Sequence, residues 1–195
     1  MPELPEVETM RRGLLPAVGG VIRSIEFPNF GYRPIAISPQ PDQWPEMLSG
    51  KTITAIDRIA KRVVVRIDDG HRIVFQPKMA GITLIADPPT EKHTRLVLQL
   101  DQCGCSKILY WDRRGLGTVH LLDEQGCDRL LGPDKLGPDA LAISENEFVE
   151  RFQTLNRPIK PALLDQKLIA GIGNLYASEI LHRAKVNPEI GRAHV

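Results

Sequence analysis

Arg58-Ile59-Ala60-Lys61-Arg62-Val63-Val64-Val65-Arg66-Ile67, a turn through Asp69-Gly70, and Arg72-Ile73-Val74-Phe75-Gln76 set the fold class. Both runs are rich in β-branched residues, which suit a pleated, half-buried surface. Asp-Gly between two such runs is a strong hairpin signal. Working outward, Val21–Phe27, Thr52–Ile56 leading into the first run, Ile82–Ile85, Thr94–Leu100, Lys107–Trp111 and Gly117–Leu122 read as further short strands. Gly, Pro and Asp turns separate them, and that pattern predicts an antiparallel sandwich or barrel. Asn29–Pro45 carries four prolines with weak periodicity and reads as a loop.

Helical patterns flank the strands. In Pro2–Leu15, Val7, Met10, Leu14 and Leu15 recur at helical spacing, and Gly19-Gly20 ends the run. Pro5 suits a first turn, where a missing N–H costs nothing. Gly132-Pro133 and Gly137-Pro138 predict a boundary, giving an N-terminal domain of residues 1–132 and a helical domain of residues 133–195. Ser144 and Glu147 form a capping-box pattern before Phe148–Phe152. Pro161–Leu168 reads as a second helix, Gly171-Ile172-Gly173-Asn174 as a break, and Leu175–Ala184 as a third helix. The fold class is therefore α+β: an N-terminal helix plus an antiparallel β-sandwich, then a helical segment with a helix-turn-helix variant.

The 195 residues are 42% hydrophobic with 25 basic and 24 acidic side chains, which excludes a disordered chain. No apolar run reaches the roughly 18 residues of a transmembrane helix. The N-terminus carries Glu3, Glu6 and Glu8 before its first base and lacks the apolar run of a secretory signal. Three cysteines without a CxxC pair build neither a disulfide framework nor a zinc site, and they suit a reducing cytoplasm. Charge is uneven: residues 1–150 hold 18 basic and 21 acidic groups, residues 151–195 hold 7 and 3. The basic end is compatible with a nucleic-acid partner, but on charge alone a solvated helical face is the favoured reading.

Pro2 offers chemistry. Once the initiator methionine is removed, it becomes a free secondary amine, and an α-amino group has a reference pKa of only roughly 7.7–8.0. Part of it is neutral and nucleophilic at neutral pH. Condensation with a sugar aldehyde gives an iminium that acidifies the adjacent carbon, and Glu3 stands beside it to move protons.

The longer string Met1-Pro2-Glu3-Leu4-Pro5-Glu6-Val7-Glu8-Thr9 resembles the start of formamidopyrimidine-DNA glycosylases. So do Lys160–Lys167 and Gly171-Ile172-Gly173-Asn174-Leu175-Tyr176-Ala177-Ser178-Glu179, and shorter matches lie between them: Arg58–Arg62, Lys78–Gly81, Glu91–His93 and Asp112–Gly117. The resemblance covers about residues 1–188 and implies a bifunctional glycosylase and AP lyase of base-excision repair. It implies that Pro2 attacks C1′ of the damaged nucleotide, that Glu3 handles protons, that Glu6 lies close by, and that Lys61 joins this catalytic set at a phosphate-binding position. A target inside a duplex must be flipped out and its space filled. Met79, Arg114 and Leu116 match the filling positions, with Leu116 replacing the usual Phe; core packing is the alternative for Met79 and Leu116. Asn174 matches a second phosphate-binding position, Lys160 a lysine near the DNA with a solvated surface lysine as the equal alternative, and His93 a position beside a strand with no chemical step.

The helical pair then reads as the family's helix-two-turn-helix element. The family continues into a four-cysteine zinc finger; no metal site or cofactor is expected in this chain, and one zinc is expected in a longer parent. Glu189–Val195 reads like a translated sequencing-adapter oligonucleotide, so the natural product is expected to continue past about Pro188. Oxidised purines in double-stranded DNA are the expected substrate, since Leu4 resembles the purine branch. The alternatives are an endonuclease VIII-like enzyme for oxidised pyrimidines and a catalytically silent DNA-binding fragment. A monomer in the bacterial cytoplasm, associated with the nucleoid and not with a membrane, completes the expectation.

Overall fold

The computed structural model describes residues 2–190. Met1 and residues 191–195, on which the methionine-removal and adapter-tail expectations largely fall, lie outside the described residues. The chain divides into two compact units, Met1–Cys127 and Asp128–Val195.

The first unit opens with helix α1 (Leu4–Leu14), where Glu3 is the N-cap and Pro5 lies in the first turn. Strands β1 (Val21–Glu26), β2 (Ala36–Ser38), β3 (Ile53–Ile59), β4 (Arg62–Ile67), β5 (Arg72–Gln76), β6 (Gly81–Leu84), β7 (Thr94–Asp101), β8 (Lys107–Asp112) and β9 (Thr118–Leu122) follow, with the short helix α2 (Trp44–Leu48) between β2 and β3. They form two sheets, ordered β1-β7-β8-β6 and β2-β9-β5-β4-β3. The β4–β5 pairing runs Val63↔Phe75 and Val65↔Ile73, as the Asp69-Gly70 turn predicts. Val63, Val65, Ile73 and Phe75 point from this sheet into a core shared with Leu96, Leu98, Ile108 and Tyr110 of the other. Each such side chain is worth about 1.5–3 kcal/mol when fully buried.

Three expectations change. The Arg58–Ile67 run is not one strand: it breaks at Ala60-Lys61, a two-residue turn closed by the Ile59↔Arg62 pair. Ala60 adopts φ +53, a left-handed backbone that composition does not announce. The proline-rich Asn29–Pro45 stretch is not all loop, because Trp44 is fully buried and seats α2. The sandwich is not wholly antiparallel, since β2 pairs parallel with β9.

In the second unit, helix α3 (Glu124–Leu131) enters from the first and spans the division at Cys127. The sequence reading lacks this helix and sets the boundary at the Gly-Pro break just beyond it. Helices α4 (Glu145–Phe152), α5 (Ile159–Leu164) and α6 (Asn174–Ala184) follow. Ser144 Oγ accepts from the Glu147 N–H at 3.3 Å, as the capping pattern predicts. Helix α5 ends four residues earlier than expected from Pro161–Leu168, because Asp165 turns extended and its carboxylate accepts from the Lys167 N–H at 3.0 Å. Leu163, Ile169, Ile172, Ala177 and Leu181 form the core of this unit.

Candidate active site

Pro2 is half-buried and Glu3 is 3% exposed at the start of α1. The Glu3 N–H donates to Glu6 Oε2 at 2.9 Å, while the Glu3 side chain receives the Glu6 N–H, a reciprocal capping box. The same two carboxylates thus define where the helix starts and where Pro2 sits. Anions are also favoured at this positive helix end, and a protonated amine is disfavoured there.

Lys61 lies in the β3–β4 turn, which faces the same corner. Burial pushes its ammonium below the ordinary lysine range, and the Glu3 carboxylate partly counters this. A cation and the buried Glu3 are therefore electrostatic neighbours.

Two more loops reach this end of the sandwich by topology. Strand β5 leads into β6 and crosses from one sheet to the other; β8 leads into β9 and crosses back. Gln76 pairs with Thr118 and Gly81 with Asp112, so the two crossing loops run side by side. Met79 is 43% exposed on the first; Arg114 is exposed and Leu116 half-buried on the second.

The second loop is shaped by one carboxylate. Asp112, fully buried, accepts from the amides of Arg114 (2.9 Å), Gly115 (3.1 Å), Leu116 (3.1 Å) and Gly117 (2.7 Å). Arg95 donates from Nε to the Asp112 carbonyl at 3.1 Å. Beneath both loops the Tyr110 hydroxyl donates to the Gln76 carbonyl at 3.4 Å, and burial pushes this phenol well above its ordinary range. A Cβ at Gly81 or Gly117 would collide with that hydroxyl, so both positions require glycine. His93 is held between aromatic rings, with Tyr32 at 4.7 Å and Trp111 at 5.6 Å between centroids.

In the second unit, Asn174 is exposed as the first residue of α6, an end that favours anions. Gln166 fixes the turn before it. Its Nε2 donates to the carbonyls of Leu164 and Ile172, each at 2.9 Å, and its Oε1 accepts from the Gly171 N–H at 3.0 Å. Gly171 there has φ +109. Lys160 donates from Nζ to Ser178 Oγ at 2.9 Å, one turn into α6. A Gln166→Ala change should destabilise this unit by about 2–3 kcal/mol, at roughly 1 kcal/mol per lost bond. Denaturant unfolding measures it, and a loss below 0.5 kcal/mol, on the order of a surface substitution, would deny Gln166 this part.

Residues 1–119 match the formamidopyrimidine-DNA glycosylase N-terminal domain, and residues 131–194 match the formamidopyrimidine-DNA glycosylase H2TH domain. The chain belongs to the formamidopyrimidine-DNA glycosylase family. A formamidopyrimidine-DNA glycosylase of Chloroflexus aurantiacus is 36% identical over 195 residues, covering 96% of this chain and 67% of its own. One of Roseobacter denitrificans is 34% identical over 203 residues, covering 96% and 69%. Among solved structures, Lactococcus lactis Fpg in complex with DNA containing an abasic site aligns with a TM-score of 0.81 and 33% identity, over 99% of this chain and 70% of that one. The same protein with DNA containing FAPY-dG aligns at 0.82 and 34%, over 99% and 72%.

Within this family frame, the fold brings Pro2, Glu3, Glu6 and Lys61 to one corner of the first unit and sets Met79 beside Arg114 and Leu116. Lys160 and Asn174 belong to the second unit. Sequence reading missed the part played by Asp112: it lies in the quoted Asp112–Gly117 match, but a lone Asp before a glycine-rich turn gives no hint of four accepted amides. Gln166 was missed for the same reason. No helix among the described residues is long and apolar enough to cross a membrane. The described residues also contain no group of three or more His, Cys, Asp or Glu that could hold a metal ion. Cys103 and Cys105 are half-buried thiols, and burial beside Cys103 pushes the Cys105 thiol up to about 11.

Proposed function

We propose that this chain excises oxidised purines from double-stranded DNA and then cleaves the resulting abasic site, using Pro2 as nucleophile. The observation that carries the reading is the half-buried Pro2 beside the buried Glu3 at the N-terminus of α1. With Met1 removed, Glu3 protonates the sugar ring oxygen as the neutral Pro2 amine attacks C1′, and the ring opens. The damaged base then departs with the proton that Pro2 gives up, and an iminium links Pro2 to C1′. Loss of a C2′ proton expels the 3′ phosphate, and a second elimination expels the 5′ phosphate. Glu6 holds the Glu3 backbone in register for these transfers. Lys61 and Asn174 grip backbone phosphates, with Lys160 and His93 near the strand. Met79, Arg114 and Leu116 fill the space of the flipped nucleotide; the exposure of Met79 on a turn supports a wedge over core packing. The reaction is that of a monomer on DNA in the cytoplasm, and a zinc finger would add phosphate contacts outside these residues.

Borohydride trapping tests the reading. The 195-residue chain with Met1 removed should form a covalent adduct with abasic-site duplex, and Pro2→Gly should abolish or severely weaken it. No adduct from the folded chain would overturn the enzyme reading. Faster cleavage of thymine-glycol than of 8-oxoguanine duplex would replace the purine substrate with a pyrimidine one.

A further inference from the structure

Glu8 sits two turns of chain from Pro2 at the centre of an ion cluster that the mechanism above does not use. Arg11 meets it through Nε at 2.9 Å and Nη2 at 2.7 Å, and Arg12 through Nε at 2.8 Å. These three residues lie on α1. A third partner comes from the sheet: Arg58 of β3 donates from Nε to Glu8 Oε2 at 3.3 Å. The Arg58 side chain is 10% exposed, an unusual depth for an arginine. Its other arm reaches forward, from Nη1 to the Ala60 carbonyl at 3.0 Å. Ala60 is the buried residue with φ +53 that turns the chain into Lys61.

We propose that Arg58 is a positioning residue for the DNA reaction: it braces helix α1, which carries Pro2 and Glu3, against the turn that carries Lys61. The brace rests on the enzyme reading given above. One guanidinium reaches both the helix and the turn with directed bonds, and a planar fork holds both directions at once. A lysine could satisfy one partner as a point charge but could not hold both. The bond to the Ala60 carbonyl also steadies a left-handed alanine that has no glycine freedom to lose. The consequence is geometric. Lys61 holds a phosphate and Pro2 attacks the sugar of the flipped nucleotide, so the brace sets the distance between grip and nucleophile. An error of about 1 Å in such a distance costs on the order of 100-fold in rate.

The test compares Arg58→Lys with Arg12→Gln, which removes a Glu8 partner that is 71% exposed and does not reach the sheet. The expected result is that Arg58→Lys slows single-turnover trapping on abasic-site duplex about 10- to 100-fold with an unchanged dissociation constant, while Arg12→Gln traps at the wild-type rate. In a double-mutant cycle the Arg58→Lys and Lys61→Met effects should be less than additive. A second readout needs no catalysis: in ¹³C-lysine-labelled protein the Lys61 ε-methylene, which faces Glu3 and Arg62, should move toward an ordinary lysine titration in Arg58→Lys and stay unmoved in Arg12→Gln. If Arg58→Lys does not fold, Glu8→Gln weakens the same tie and should shift both readouts in the same direction. Wild-type trapping rate with a wild-type Lys61 signal in Arg58→Lys overturns the brace alone. An inactive wild-type chain overturns the enzyme reading, and the Lys61 signal then decides the brace.

Discussion

A Glu3→Gln chain will keep the fold and the duplex affinity of the wild type and will remove a damaged base about 100- to 10,000-fold more slowly, the range that a positioned proton donor contributes. The capping role of Glu3 and the proton transfer proposed for it separate cleanly. As N-cap it needs only an acceptor oxygen for the Glu6 amide and its own N–H for Glu6 Oε2 at 2.9 Å. A glutamine carbonyl supplies the first, and the second belongs to the backbone, so the start of α1 stays in place. What glutamine lacks is a proton to give to the ring oxygen. The variant should still form a trapped adduct on DNA that is already abasic, at a reduced rate, because Pro2 remains. Base release from 8-oxoguanine duplex and the thermal midpoint are the two measurements. A thermal midpoint lowered by many degrees would mean that Glu3 is chiefly a cap, and wild-type base release would remove it from the proton path.

Asp112→Ala is expected to destabilise the first unit by about 3–5 kcal/mol. Four amides, those of Arg114, Gly115, Leu116 and Gly117, lose their acceptor together. Asp112 itself is fully buried, so water does not readily replace it. The loop then no longer holds Arg114 and Leu116 beside Met79. Lesion-duplex affinity should fall while the Pro2 adduct still forms at saturating abasic DNA, since Pro2 and Glu3 stand on α1 and not on this loop. Asp112→Asn should lie between, because one amide NH₂ now faces two N–H donors while its oxygen keeps the other two. Denaturant unfolding followed by duplex titration separates the two consequences. A fully stable Asp112→Ala protein would show that the four bonds are replaced by solvent.

Much of this was legible along the chain. The Asp69-Gly70 hairpin, the α1 pattern with Pro5 in its first turn and the Ser144 cap are local, and local rules found them. The Pro2-Glu3 pair could be proposed from the sequence too, because the chemistry proposed for it depends on residue type. The Ala60-Lys61 turn was hidden inside a run of β-formers: Ala60 is buried at φ +53 by its neighbours, and nothing in Ile-Ala-Lys-Arg asks for it. The parallel β2, seated in a stretch of prolines, was hidden likewise, because pairing with β9 joins residues far apart in sequence.

Sequence by itself determined the class of most elements and the α+β order, and it was enough to propose Pro2 as nucleophile beside Glu3, since backbone propensity, side-chain period and amine chemistry are properties of short segments. Only the tertiary structure decided that Lys61 comes to Glu3, that the Met79 turn lies beside the Arg114 loop, and that Asp112 and Arg58 hold these pieces in place. The reason is physical: two sheets must bury their faces against each other, and the crossings this forces set the partners of each loop. A buried carboxylate or guanidinium then takes whichever backbone groups that packing leaves for it to satisfy.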